Sequence, residues 1–167
     1  MSQIVNKVAN SKLISINLED YYSQGTRVQL DISPWLYEGL ILKEADFRVA
    51  VENYNWEKYK DSFVALHCAT DAIIPGWAYM LVITKLQPYA IKTIQGNLEA
   101  LETILYTTII NDLDCTRYQD SYIIIKGCSN KPVPPNAYLF LTEKLMKYAK
   151  SIMYGEACSS VPLYKRN

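Results

Sequence analysis

Two stretches of this chain repeat one another, and that repetition limits the fold more than any other feature. Slid by 59 residues without gaps, YKDSFVALHC (59–68) aligns with YQDSYIIIKG (118–127), and GWAYMLVITKLQPYA (76–90) aligns with PNAYLFLTEKLMKYA (135–149). The frame gives eleven identical pairs over 38 positions: Tyr59/Tyr118, Asp61/Asp120, Ser62/Ser121, Pro75/Pro134, Ala78/Ala137, Tyr79/Tyr138, Lys85/Lys144, Leu86/Leu145, Tyr89/Tyr148, Ala90/Ala149 and Gly96/Gly155. A duplicated unit at 59–96 and 118–155 follows.

Each copy reads as a strand, a proline-containing loop, a helix and a second strand. Phe63–His67 and Tyr122–Lys126 are short apolar runs suited to a sheet covered on both faces. In the second copy Tyr138, Leu141, Leu145 and Tyr148 form a helical stripe, whereas the first-copy helix is apolar nearly all round, as deep burial or a partner subunit would require. Lys92–Gln95 and Ser151–Tyr154 are the second strands. A further helix over Leu98–Asp112 carries Leu98, Leu101, Leu105 and Ile109 on one face and links the copies.

Upstream, Lys12–Leu18 and Arg27–Ile32 alternate apolar and polar residues around Ser23-Gln24-Gly25 and predict a hairpin or adjacent strand pair. Ser33-Pro34 marks a helix start, and Phe47, Ala50, Val51 and Tyr54 place a helix over about Lys43–Tyr54. No Gly/Ser linker divides the chain. The expected fold is one α/β domain over 1–167: three layers, a mainly parallel sheet holding all four repeat strands, the duplicated β-α-β unit and an N-terminal strand pair.

Lysine and arginine total 17 and aspartate and glutamate total 17, so there is no net charge to attract a phosphate backbone, and nucleic acid is not an expected partner. MSQIVNKVAN does not read as a secretion signal, and WAYMLVI is cut short by Thr84, Lys85 and Gln87 before it could span a bilayer. These features point to a cytoplasmic protein without a membrane partner. In that reducing compartment the four cysteines are thiols or ligands rather than disulfides.

Ligands of parallel sheets bind beyond the carboxyl ends of the strands. Cys68, Cys128 and Cys158 all follow strands and are expected at one sheet edge; Cys115 precedes a strand and is expected to be structural. Three thiolates there suit zinc, iron or an iron–sulfur cluster, with Asp71, His67, Glu99, a water or a partner molecule as the fourth ligand. The cysteine spacing carries no CxxC pair, so ordinary buried packing is the competing reading. In GCSNKPVPPN (127–136), Ser129, Asn130 and Lys131 could hold an anion beside a helix start, or simply form a turn. That setting makes Cys128 the candidate nucleophile. A Cys68–His67 pair is disfavoured because successive strand residues face opposite ways.

IVNKVANSKLISINLEDYY (4–22), DAIIPGWAYML (71–81), IIKGCSNKPVP (124–134) and AKSIMYGEACSSVPLYK (149–165) resemble a bacterial family called domain of unknown function 2480 (DUF2480) over nearly the whole chain. Genes of that family are often found among Suf-type iron–sulfur assembly genes. The resemblance therefore implies an accessory role with iron–sulfur assembly proteins as partners, and it carries over no catalytic residue. Three functions follow as expectations: a metal-binding or iron–sulfur accessory protein using Cys68, Cys128 and Cys158; a thiol enzyme using Cys128; or a non-catalytic interaction domain, with a homo-oligomer compatible with any of these.

Overall fold

The computed structural model describes residues 13–127, 130–156 and 158–167. Among these the order is β1 (Leu13–Ile16), β2 (Thr26–Asp31), α1 (Glu44–Glu52), β3 (Ser62–His67), α2 (Gly76–Leu86), β4 (Lys92–Gln95), α3 (Leu98–Asp112), β5 (Tyr122–Ile125), α4 (Pro135–Leu145), β6 (Ser151–Glu156) and β7 (Ser159–Lys165). Short 3-10 turns occupy Leu18–Tyr21, Ser33–Trp35, Glu57–Tyr59 and Thr116–Tyr118.

The repeated residues are those the backbone needs. Tyr59 and Tyr118 end matching 3-10 turns and are both buried. Asp61 and Asp120 follow at φ 56°, a left-handed conformation that aspartate tolerates better than most residues. Their N–H groups donate to the carbonyls of Tyr89 (3.1 Å) and Tyr148 (3.0 Å), which ties the start of each copy to the end of its helix. The carbonyls of Pro75 and Pro134 accept from Ala78 N–H (3.0 Å) and Ala137 N–H (2.9 Å) in the first turns of α2 and α4. Lys85 Nζ meets Glu52 at the end of α1 (2.6 Å), and Lys144 Nζ meets the carbonyls of Ile110 (2.7 Å) and Asn111 (2.8 Å) at the end of α3. A cation belongs at that end of a helix dipole. Gly96 and Gly155 have φ +142° and +122°, and a Cβ on Gly155 would lie 2.6 Å from the Ser159 carbonyl oxygen.

The repeat is larger than the sequence showed, and it is nested. The same shift of 59 maps Phe47 onto Tyr106, Val51 onto Ile110 and Trp56 onto Cys115, all buried, so α1 and α3 are counterparts. β1 and β2 are counterparts too. β1 runs parallel to β5 with Leu13 opposite Tyr122, and β2 runs parallel to β3 with Arg27 opposite Phe63. Each first strand ends on a side chain that accepts from the next turn, Asn17 from Glu19 N–H (3.1 Å) and Asp31 from Ser33 N–H (2.9 Å).

The chain accordingly divides into two units: a contiguous one, Gln24–Glu102, and a split one, residues up to Ser23 with Thr103–Asn167. The contiguous unit holds the parallel sheet β2-β3-β4; the split unit holds β1-β5-β6-β7, parallel except for the antiparallel β6–β7 pair. In the contiguous unit Leu30, Ile32, Val64 and Leu66 pack with Phe47 and Val51 of α1 and with Ala78, Val82 and Leu86 of α2. In the split unit Ile16, Ile123, Ile125 and Ile152 pack with Tyr106 and Ile110 of α3 and with Leu141 and Leu145 of α4. Continuous apolar strands are what a parallel sheet under helices demands.

The α/β class, the mainly parallel pairing and the duplicated β-α-β unit are as expected. Two expectations are corrected. The four repeat strands do not share a sheet, because each copy pairs its two strands within its own sheet. Nor do the first two strands pair: β1 and β2 each join the first repeat strand of a different copy, since both copies need a strand at that position to complete the cover over their helices.

Candidate functional site

At the carboxyl end of the contiguous unit's sheet, Asp31 and His67 stand opposite one another on β2 and β3, and Cys68 is the next residue. Asp31 accepts from Ser33 Oγ (2.6 Å), Ser33 N–H (2.9 Å) and Ala69 N–H (2.9 Å). Burial alone would raise its carboxyl, but those bonds and the nearby His67 outweigh burial and hold it below its ordinary value. Tyr79 is pushed up by burial first, then by Cys68 and Asp31. The half-buried Cys68 Sγ lies 3.3 Å from Thr70 Oγ1, whose own proton goes to the Gly39 carbonyl at 2.6 Å. The thiol is therefore the donor in that pair, and Thr70 offers nothing to a thiolate. Asp71 is exposed. These bonds tie the loop after β3 to the loop after β2.

In the split unit, Cys158 is exposed in the turn between β6 and β7. The N–H groups of Asn130 and Lys131 both donate to Glu19 Oε1, the latter at 2.6 Å. The anion position that these amides offer thus carries the chain's own carboxylate. Cys128 and Ser129 lie outside the described residues. Cys115 is buried, its thiol pushed up by that burial, and it fills the place that Trp56 fills in the other copy, which makes it a packing residue.

The strands preceding Cys68 and Cys158 belong to different sheets, so the common edge expected for the three cysteines is divided between two sheets. Among the described residues no group of three His, Cys, Asp or Glu side chains is placed to hold a metal ion.

A different feature, missed in the sequence, stands out in the split unit. An apolar groove lies between α4 and β6–β7, lined by Ile125, Tyr138, Leu139, Thr142, Glu143, Met146, Tyr154 and Leu163. Leu139 is 64% exposed, and Met146, Leu163 and Val161 are exposed as well. The signal was faint: Leu139 and Met146 fall off the core stripe of α4, and Pro162 interrupts the alternation of SSVPLYK, which is strand β7. Among the described residues no helix is long and apolar enough to cross a membrane.

No curated protein and no solved structure matches the chain. A family model described as a protein of unknown function (DUF2480) matches residues 2–166, over the strands and helices of both units, and the chain belongs to that family.

Proposed function

We propose that this protein is a non-catalytic interaction module, and that the groove between α4 and β6–β7 receives an apolar segment of a partner protein carrying a lysine or arginine. The observation that carries this is the composition of the groove. Six apolar or aromatic side chains, several of them exposed, surround a single carboxylate, Glu143. Apolar side chains gathered in one concavity, unlike single exposed ones, mark a contact surface. One carboxylate at its rim complements a cation.

The test titrates the full chain with two labelled amphipathic peptides, one of leucine and lysine and one of leucine and glutamate, read by fluorescence anisotropy. The leucine–lysine peptide should bind more tightly. Leu139→Asp should weaken it at least tenfold, whereas Met80→Asp, at the matching position of α2, should not. Glu143→Lys should move the preference toward the glutamate peptide. Equal binding of both peptides, or indifference to Leu139→Asp, overturns the reading. So does self-association through the groove, seen by light scattering as a dimer that Leu139→Asp dissociates. Stoichiometric zinc or iron in untagged protein, lost when Cys68, Cys128 and Cys158 are replaced, would instead establish the three-cysteine function.

A further inference from the structure

The split unit has a second surface, built from different residues. Among the described residues β1 is the end strand of its sheet and pairs only with β5. The Ile16 carbonyl accepts from Lys126 N–H at 2.9 Å. Because N–H and C=O of one strand residue point the same way and alternate along the strand, Ile14 and Ile16 face β5. The N–H and C=O of Ser15 therefore face the open side, and Ser15 is exposed. Ser15 also lines a concavity of about 370 Å³, shared with its β1 neighbours and with Asp20, Tyr21, Arg117 and Tyr118, within the range of ligand sites.

Arg117 gives the concavity its charge. Its guanidinium lies 4.7 Å over the Tyr118 ring, and its Nη2 donates to the hydroxyls of Tyr118 and Tyr21, the second at 3.4 Å. Among the described residues it makes no ion pair with a carboxylate. Asp114 senses its charge, but that carboxylate accepts from Thr116 N–H (3.0 Å) and Thr116 Oγ1 (2.6 Å). The counterpart of Arg117 in the other copy is Lys58, a cation without the planar fork, 4.3 Å over Tyr54. Two independent features thus meet in one place: main-chain groups facing away from their own sheet, and a guanidinium whose remaining donors have no acid among the described residues.

We propose that the open edge of β1 docks an extended, acidic segment of a partner protein, the Ser15 main chain pairing with it as an added strand and Arg117 receiving a carboxylate from it. Strand addition draws affinity from main-chain bonds and specificity from side-chain positions. An arginine fork suits a carboxylate bidentately. Asp20, in the same concavity, sets the pattern: one acidic side chain placed at Arg117, and none beside Asp20. An edge of four residues limits the number of bonds, so the complex is expected to be transient.

The probe is a fluorescein-labelled hexapeptide of alternating threonine and valine with one central glutamate, read by anisotropy against the full chain at low salt. Saturable binding is expected, at least tenfold weaker when the glutamate is lysine or when the central amides are N-methylated. Arg117→Glu should reverse the preference in favour of the lysine peptide. Ser15→Pro should remove binding while leaving the β1–β5 ladder intact, because the lost donor faces outward; circular dichroism verifies that both variants fold. The groove variant Leu139→Asp should leave this peptide's affinity unchanged, which separates the two surfaces. The proposal is overturned if no binding appears up to millimolar peptide, if N-methylation is harmless, or if free glutamate competes as well as the peptide. It also fails if light scattering shows a dimer that Ser15→Pro dissolves, since the occupant would then be a second copy.

Discussion

The two units are built on one plan and differ in what they expose. Both have a first strand ending on Asn17 or Asp31, a helix anchored by Phe47 or Tyr106, a 3-10 turn, a left-handed aspartate and a β-α-β crossover. The split unit adds one strand, β7, antiparallel to β6, and that strand supplies Leu163 to the groove. The contiguous unit's sheet stops at β4. The apolar depression beside its α1 and α2 is bordered by Arg48 and Glu52, charges of both signs, where the split unit's groove has only Glu143. A duplicated framework thus keeps its core and its backbone bonds while the surface diverges, because buried positions are constrained by volume and hydrogen bonding and exposed ones are not.

Truncating the matched anchors tests the shared plan most severely. Phe47→Ala should cost about 3–5 kcal/mol as a buried aromatic lost from a packed core. Tyr106→Ala should cost more, since it also removes the bond from the Tyr106 hydroxyl to the Leu18 carbonyl at 3.0 Å. Urea unfolding measures both, and a cost below about 1 kcal/mol at either site would break the equivalence of α1 and α3.

A second test uses the one titratable difference between the first-strand caps. Asp31 has a carboxyl held below its ordinary value of 3.8, and its counterpart is the neutral Asn17. A depressed carboxyl contributes stability above its unfolded value and loses that contribution as pH falls through the folded value. From about pH 5 down to about pH 2 the parent should therefore lose stability more steeply than Asp31→Asn. Urea midpoints across that window decide it, and parallel curves would assign the acid sensitivity to other groups.

The smallest expected effect separates the paired left-handed aspartates. Asp61→Gly should be neutral or stabilising by up to about 1 kcal/mol, because glycine adopts φ 56° without penalty. Asp120→Gly should gain less, since it also gives up the ion pair of Asp120 with Arg166. Equal thermal shifts would mean that this ion pair contributes nothing, as is common for exposed pairs.

Local structure was legible wherever it depends on near neighbours. Leu98–Asp112 and Lys92–Gln95 were bounded as α3 and β4 are, because apolar periodicity and Gly96 mark them within one or two turns of chain. Strand β7 was not, because Pro162 breaks the pattern and the strand forms by pairing with β6 rather than from its own periodicity. The repeat was visible only from Tyr59 onward, since Phe47 and Tyr106, or Trp56 and Cys115, share a buried place without sharing identity.

The candidate site divides along the same line. Cys68 and Cys158 were rightly placed just beyond strand ends, a relation of adjacent residues. Whether those strands share a sheet is a matter of long-range pairing, and β-α-β alternation is the same string for one sheet or for two. The sequence by itself determined the duplicated unit and the strand and helix positions within it, consequences of side-chain pattern and backbone preference over short distances. Only the tertiary structure decided that β1 completes the second copy across the whole first copy, that the chain builds two sheets, and that Arg117 lines the same concavity as Ser15. Those depend on which distant segments bury one another's apolar faces, a choice that the periodicity of any one segment leaves open.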